Sequence, residues 1–483
     1  MQPDFYTLLL TGLDRLYSWV WGPPLLILLM GIGVYLTFAL KGLQFRYLPY
    51  ALKLVFGPQQ SDKQGEGDIS HFASLMTALA ATIGIGNIAG VATAVTVGGF
   101  GALFWMWVTA LIGMAIKYAE AILAVKYRTT DDKGEMCGGP MYFIQSGLGW
   151  KWLAGSFALF GAIGAFGGGN MLQANSVADV MKSMFSIDPW WTGIIVAMLT
   201  GLTLLGGIQS IGKVASFLVP FMAIFYIGGA GAILIAHYDR IPHALLMIIE
   251  AAFNGQAAAG GFLGAGVILA IQVGVSRGLM TSEAGLGTAS IAAAAAKTDF
   301  PGRQALVSMT GCFLATIIMC SATGLVLAVT DVFGSLGENG KLLNGATLTL
   351  AAFRSVFPWG GYIVTLGLIL FAFTTLLGWA YYGEKCVEYI FGTRSVPFYR
   401  AIFTFVVIPG AVLELDVVWK ISDVCNGLMA IPNLIGLCAL SGAVVAETRL
   451  FLNVMAEEKK LKKMKFQSQN SIQNTEARIQ NSE

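Results

Sequence analysis

Glycines and polar side chains set in the middle of apolar runs are the residues of this chain best suited to chemistry. One run carries Ala80-Ala81-Thr82-Ile83-Gly84-Ile85-Gly86-Asn87-Ile88-Ala89-Gly90. Another carries Gly274-Val275-Ser276-Arg277-Gly278 and then Glu283-Ala284-Gly285-Leu286-Gly287-Thr288. Taken singly, such glycines more often serve close helix packing. Gly84 and Gly86, however, are two apart, on different faces of a regular helix, and they adjoin Asn87, whose amide needs hydrogen-bond partners. Unwinding from Thr82 to Gly86 accounts for both facts. A helix broken in this way offers free N–H groups and a positive dipole end on one side and carbonyl oxygens on the other. That is the chemistry of a zwitterion held without covalent bonds. A carboxylate would accept from amides around Gly84 and Gly86, and an ammonium would donate to carbonyls near Val273, Gly274 and Ser276. Sodium prefers hard oxygen ligands, and Thr374-Thr375 is a candidate source of them. Taken alone, the same hydroxyls are at least as often bonded back to a carbonyl one turn earlier.

Other polar residues in apolar surroundings carry weaker signals. Gly167-Gly168-Gly169-Asn170, followed by Gln173 and Asn175, puts amides where they would either bind a ligand or join helices. Trp379 lies one turn after Thr375 on the same face. Arg277 and Glu283 are expected to form a structural or gating ion pair in preference to binding substrate, since a lone buried charge is costly. Lys117 and Glu120, three apart on a helix, are expected to neutralise each other. Gly84-x-Gly86-x-x-Ala89 imitates a dinucleotide fingerprint, but it follows no strand, so that reading fails.

These residues must be positioned by membrane helices. The chain has 483 residues, 56% hydrophobic and only 12% charged, with a mean hydropathy of +0.71. Too little polar surface is left to cover soluble domains. The formal charge of +2 provides no field to attract nucleic acid. Six cysteines form no CxxC pair and three scattered histidines form no cluster, so neither a disulfide framework nor a zinc site is expected. Eleven runs are long enough to span, near 17–40, 70–97, 101–127, 152–181, 190–208, 214–236, 261–295, 303–330, 360–389, 397–413 and 417–446. His243 to Phe253 reads as an interfacial helix, Ser335 to Asn344 as a polar loop, and Glu457 to Glu483 as a charged tail, disordered beyond its first turns. The two interrupted runs stand five helices apart, so they open two five-helix blocks of opposite orientation, the pattern of inverted-repeat transporters. The expected architecture is an all-α polytopic membrane protein of about 11 transmembrane helices. Residues 1–45 hold one extra N-terminal helix, 68–238 the first repeat, 239–446 the second with its interfacial helix and extracellular loop, and 447–483 a cytoplasmic tail. With the N-terminus outside, 21 of the 29 Lys and Arg residues are cytoplasmic and six are exterior. That bias predicts a multi-pass cell-membrane protein with its N-terminus out and its C-terminus in.

Directly after the first break, Gly98-Gly99-Phe100-Gly101-Ala102-Leu103-Phe104-Trp105-Met106-Trp107-Val108 resembles the signature of the alanine or glycine:cation symporter family. The resemblance continues through Arg277-Gly278-Leu279, Glu283-Ala284-Gly285 and Thr374-Thr375-Leu376-Leu377-Gly378-Trp379. It implies the five-plus-five fold of sodium-coupled amino-acid transporters and uptake of alanine or glycine with sodium, sometimes with protons. It further implies that Thr82, Gly84 and Gly86 hold the substrate carboxylate and that Gln173, Val273, Ser276, Thr375 and Trp379 line the pocket. Asn170 and Gly274 join the candidate binding residues on the reading above. The resemblance implies sodium on backbone oxygens of Ala80 and Ile83 with Thr374 and Thr375, and it aligns Asn87 with a second sodium position.

The leading expectation is therefore a secondary active transporter that uses alternating access, with sodium as the co-transported ion and no organic cofactor. Its partners are a small neutral amino acid, the lipid bilayer and no nucleic acid, and it is expected to work as a monomer. Two alternatives are a proton-coupled amino-acid transporter and a cation channel. A channel would use a ring of carbonyls or carboxylates repeated by symmetry, and the chain has no such filter. A membrane-embedded enzyme would need a paired acid and base or a metal cluster, so the chain is not expected to be an enzyme.

Overall fold

The computed structural model describes residues 5–57, 65–254, 263–337, 340, 342–413 and 415–480. Lys63, Lys341 and parts of the expected loop and of the seventh run's start lie outside the described residues. Among the described residues, eight helical segments are long and apolar enough to cross a membrane, and three shorter apolar helices are Ala89–Gly98, Pro189–Leu205 and Gly266–Ser282.

The first run, near 17–40, holds the end of α1 (Phe5–Val20) and all of α2 (Pro23–Ala39), because Gly22 and the Pro23-Pro24 pair interrupt the ladder. Short helices α3 (Leu43–Arg46) and α4 (Leu48–Phe56) follow. The first block then consists of α5 (His71–Thr82), α6 (Ala89–Gly98) and α7 (Gly101–Lys126). The hairpin β1 (Thr129–Thr130) and β2 (Met136–Cys137) leads to α8 (Pro140–Leu148), α9 (Lys151–Phe166), α10 (Leu172–Phe185), α11 (Pro189–Leu205) and α12 (Gly207–Ala236). A π turn over Gly167–Met171 joins α9 to α10, so the glycine triplet widens this helix without breaking it.

After α13 (Ile241–Asn254), the second block runs through α14 (Leu263–Ser282), α15 (Thr288–Ala294) and α16 (Pro301–Cys312). It continues with a π-helical stretch Phe313–Cys320, α17 (Ser321–Val329), α18 (Gly345–Val356), α19 (Gly360–Phe391), α20 (Val396–Val412) and α21 (Asp416–Ala439). The final helix, α22 (Ser441–Gln480), continues through the tail where disorder was expected. Glu, Lys, Leu, Met and Gln favour helix along this stretch, and Glu458 accepts from Arg303 Nη2 at 2.7 Å, tying the helix to α16.

Two of the apolar runs are interrupted part-way along. Ser70 caps α5, its hydroxyl accepting from Ala73 N at 3.1 Å. The helix ends at Thr82, Gly84 is extended, and a 3-10 turn over Ile85–Asn87 leads into α6. The second break lies later than expected. α14 is continuous to Ser282, and the chain then turns through positive φ at Glu283 (52°), Gly285 (94°) and Gly287 (82°) before α15. Val273, Gly274 and Ser276 are thus inside a regular helix, and their carbonyls are not those of a break. Gly274 is there for packing: a Cβ at this position would sit 2.5 Å from Ala102 O and 2.6 Å from Trp105 Cβ of α7.

Candidate functional site

The two breaks face each other. Thr82 Oγ1, at the end of α5, lies 3.1 Å from Glu283 Oε2, just past the end of α14, while its proton has a nearer acceptor in Ala78 O at 2.7 Å. Between them and α19 lies a cavity of about 230 Å³, lined by Thr82, Gly84, Gly86, Gln173, Arg277, Glu283, Thr375 and Trp379 among others. α19 is close enough that a Cβ on Gly84 would approach Thr375 Oγ1 to 2.7 Å. Gly169 is equally constrained, since a Cβ there would meet Trp379 Cβ at 2.3 Å, so the π turn is what lets the indole pack against the α9–α10 join.

The first break redirects the main-chain groups of α5 away from the helical ladder. The Gly84 amide would bond Ala80 O in a continuous helix, but it turns to Thr82 O (3.2 Å) and Asn87 Oδ1 (3.1 Å). Ala80 and Ile83 are both buried at this point, and Ile83 O accepts only a long contact of 3.5 Å from Thr375 Oγ1. Thr374 faces elsewhere: its hydroxyl bonds back to Phe371 O at 3.1 Å and reaches Met222 S on α12 at 3.4 Å. Asn87 is engaged at both ends of its amide, as the acceptor for Gly84 N and as a donor to Ala315 O at 2.9 Å. It holds the turn in shape.

Several residues marked in the sequence stand outside the cavity lining. Asn170 donates to Phe403 O at 2.7 Å, joining the α9–α10 bend to α20. Val273 packs toward Gly98 of α6, and Ser276 is directed at Tyr17 of α1. Arg277 and Glu283 both line the cavity but form no ion pair with each other among the described residues. Arg277 stands in the field of Asp423 on α21, because six helical residues place it well over a turn from the α14 terminus that carries Glu283. Lys117 and Glu120 also do not pair directly. Lys117 Nζ donates to Ser282 O at 2.6 Å, the last carbonyl of α14. Glu120 Oε1 accepts from Gly285 N (3.0 Å), Gly287 N (3.1 Å) and Asn433 Nδ2 (2.7 Å). One face of α7 therefore holds both sides of the second break.

Sequence reasoning missed Ser422, Asp423 and Asn426 of α21, which line the cavity beside Gln173. Gln173 Oε1, Ser422 Oγ and Asn426 Oδ1 are buried without hydrogen-bond partners, so this wall of the cavity is equipped for a polar ligand or water. The available signal was Ser422 and Asn426 at i,i+4 around an acidic residue in an apolar run. Away from the cavity, Asp131, Cys137 and Glu388 approach one another near the hairpin. Lys385 Nζ stands among them, 2.9 Å from Glu388 and 3.4 Å from Cys137 Sγ, so an ammonium supplies the positive charge there.

The model of the sodium:alanine symporter family matches residues 7–467. The chain belongs to that family. It is similar to the sodium/alanine symporter AgcS of Methanococcus maripaludis, with 55% identity over 95% of this chain and 99% of AgcS. A more distant relative is the probable sodium/glutamine symporter GlnT of Bacillus subtilis, 34% identical over 88% of this chain and 87% of GlnT. Among solved structures, that of MhsT in complex with L-phenylalanine has the same fold, with a TM-score of 0.56, 14% identity and coverage of 80% of this chain and 93% of MhsT. This symporter-family chain is a multi-pass membrane protein and a sodium-coupled amino-acid transporter, not an enzyme.

Proposed function

We propose that the protein couples inward sodium movement to the uptake of alanine or glycine by alternating access. The observation that carries this reading is the pair of facing helix breaks, joined through Thr82 and Glu283 around a cavity of about 230 Å³. The substrate carboxylate lies against the Ile85 and Gly86 amides of the turn before α6, the Gly84 amide being already taken by Asn87 Oδ1, where the helix dipole favours an anion. Thr82, Thr375, Gln173 and Trp379 enclose it. Sodium sits at the end of α5, on the carbonyls of Ala80 and Ile83 and the hydroxyl of Thr375, with Thr374 joining after a rotamer change. Asn87 is left out of the ion set, since its oxygen is already an acceptor for Gly84 N. The similarity to AgcS supports alanine as the substrate.

The Lys and Arg distribution supports a C-terminus in the cytoplasm and an N-terminus outside. A cavity built from one chain supports transport by a monomer. The driving force is sufficient: one charge crossing 100 mV releases about 2.3 kcal/mol, and a tenfold sodium gradient adds about 1.4 kcal/mol. One sodium can thus sustain roughly a several-hundredfold gradient of a neutral solute.

Radiolabelled alanine uptake into proteoliposomes, with and without an imposed sodium gradient and with glycine, serine and leucine as competitors, tests the reading. Uptake should require sodium, glycine should compete and leucine should not. Thr82→Val and Thr375→Ala should each lower uptake while leaving folded protein. Sodium-independent uptake, or normal transport by both variants, would overturn it.

A further inference from the structure

The substrate's ammonium needs an acceptor, and the continuous course of α14 through Val273, Gly274 and Ser276 removes the carbonyls first considered for it. The charges around the cavity offer a replacement. Arg277 and Asp423 both line it and stand in each other's field, so they balance. Behind the second break, Lys117 is a single ammonium set among two fully enclosed carboxylates, Glu120 and Glu283. With both carboxylates ionised, one negative charge is left without a counterpart among the described residues, so one of them must either hold a proton or face a ligand's cation. The two carboxylates are not equivalent. Glu120 Oε1 is committed to three donors and faces the turn, away from the cavity lining. Glu283 lines the cavity and is met only by the hydroxyls of Thr82, at 3.1 Å and shared with Ala78 O, and Thr288, with no main-chain amide committed to it among the described residues.

We propose that Glu283 accepts the α-ammonium of the transported amino acid. The inference rests on the amino-acid reading above and names the residue that selects for the amino group. With the carboxylate at the amides of α6 and the ammonium at Glu283, a zwitterion spans the gap between the two breaks and supplies the missing positive charge. The positive φ of Glu283 is what brings its carboxylate out of the α14 ladder toward Thr82. Lys117 and Glu120 act as positioning residues, since they fix the carbonyl before this turn and the amides after it. The occupant is then an α-amino acid, and a hydroxy acid of the same shape is rejected because it leaves the carboxylate unpaired.

The test compares alanine with lactate, which keeps the methyl and carboxylate and replaces the ammonium by a hydroxyl. Wild-type protein in proteoliposomes should take up alanine with sodium and resist competition by lactate. Glu283→Gln should raise the alanine KM roughly ten- to hundredfold, the loss of one charge-assisted hydrogen bond. It should also shrink the preference for alanine over lactate, with the half-saturating sodium concentration within about twofold of wild type. Glu283→Asp should recover part of the alanine affinity. An unchanged alanine KM in Glu283→Gln would overturn the assignment, as would a rise in half-saturating sodium with alanine affinity untouched, which would give the charge to the ion. If Glu283→Gln yields no folded protein, calorimetric binding to wild type decides: lactate binding as tightly as alanine overturns the proposal, and weak lactate binding supports it. Absence of sodium-dependent alanine uptake by wild type would instead refute the functional reading on which the assignment stands.

Discussion

One glycine beside the cavity and one cysteine away from it give sharp tests of the packing. A methyl on Gly84 would be driven to 2.7 Å from Thr375 Oγ1, so Gly84→Ala should cut alanine uptake at least as strongly as Thr375→Ala. Because the two side chains would meet, the double substitution should not be additive, with a coupling of about 0.5–3 kcal/mol in a stability cycle. Cys137 provides a control away from the cavity. Burial pushes its thiol up to about 12, with the ammonium of Lys385 only partly offsetting the effect. Cys137 should therefore resist maleimide at pH 8 in the native protein and react once the protein is denatured, as read by mass spectrometry. At this scale the sequence was informative where a residue type was out of place. Thr82, Gly84, Gly86, Gln173, Thr375 and Trp379 were all marked in advance, and all line the cavity. Ser422, Asp423 and Asn426 were passed over because three polar residues near the end of an apolar run look like a boundary until α21 is packed against α9.

The broken helices are maintained by partners on other elements, so the element scale is where loss of a hydrogen bond should be most costly. Glu120→Ala leaves the amides of Gly285 and Gly287 without their acceptor in a dry interior. The expected destabilisation is about 1.5–3 kcal/mol, measurable as a lower thermal midpoint in detergent. Gly287→Ala should cost a comparable amount for a different reason. Its φ of 82° is unfavourable for an L side chain, and a Cβ would meet Pro140 Cγ at 2.5 Å. The existence of two breaks could be read from sequence, but the position of the second could not. Gly274 and Gly278 look as capable of interrupting a helix as Gly285 and Gly287 do. The difference is made by α7, which packs closely on α14 at the first pair and offers Lys117 and Glu120 to the second.

Across the whole molecule, the end assigned to the cytoplasm is sealed by main-chain pairing. Asp68 N donates to Ala295 O at 2.8 Å and Lys297 N to Ile69 O at 2.7 Å, joining the segment before α5 to the segment after α15. Arg128 secures this seam, donating to Ala294 O (3.0 Å), Ala296 O (2.8 Å) and Glu66 O (2.7 Å). Both broken helices are thereby fastened to each other at one end, so a path through that end requires the seam to part. Arg128→Ala should shift the population toward that open state. A cysteine reporter introduced by Thr288→Cys should then react faster with a membrane-impermeant thiol reagent applied from the cytoplasmic side. No change in labelling rate would mean that the seam is not what closes the path.

The sequence by itself determined that the chain lives in a bilayer, how many times it crosses, and which two crossings are interrupted. These follow from local quantities: apolar length set against membrane thickness, and glycine or amide residues where lipid tolerates neither. What only the tertiary structure decided is which polar groups meet. Arg277 was expected to serve Glu283 and instead stands by Asp423, while Lys117 and Glu120, adjacent on one helix, serve opposite sides of a turn about 165 residues further on. Charge pairing inside a membrane protein depends on which helix faces are packed together, and the spacing of residues along one chain segment carries no record of that.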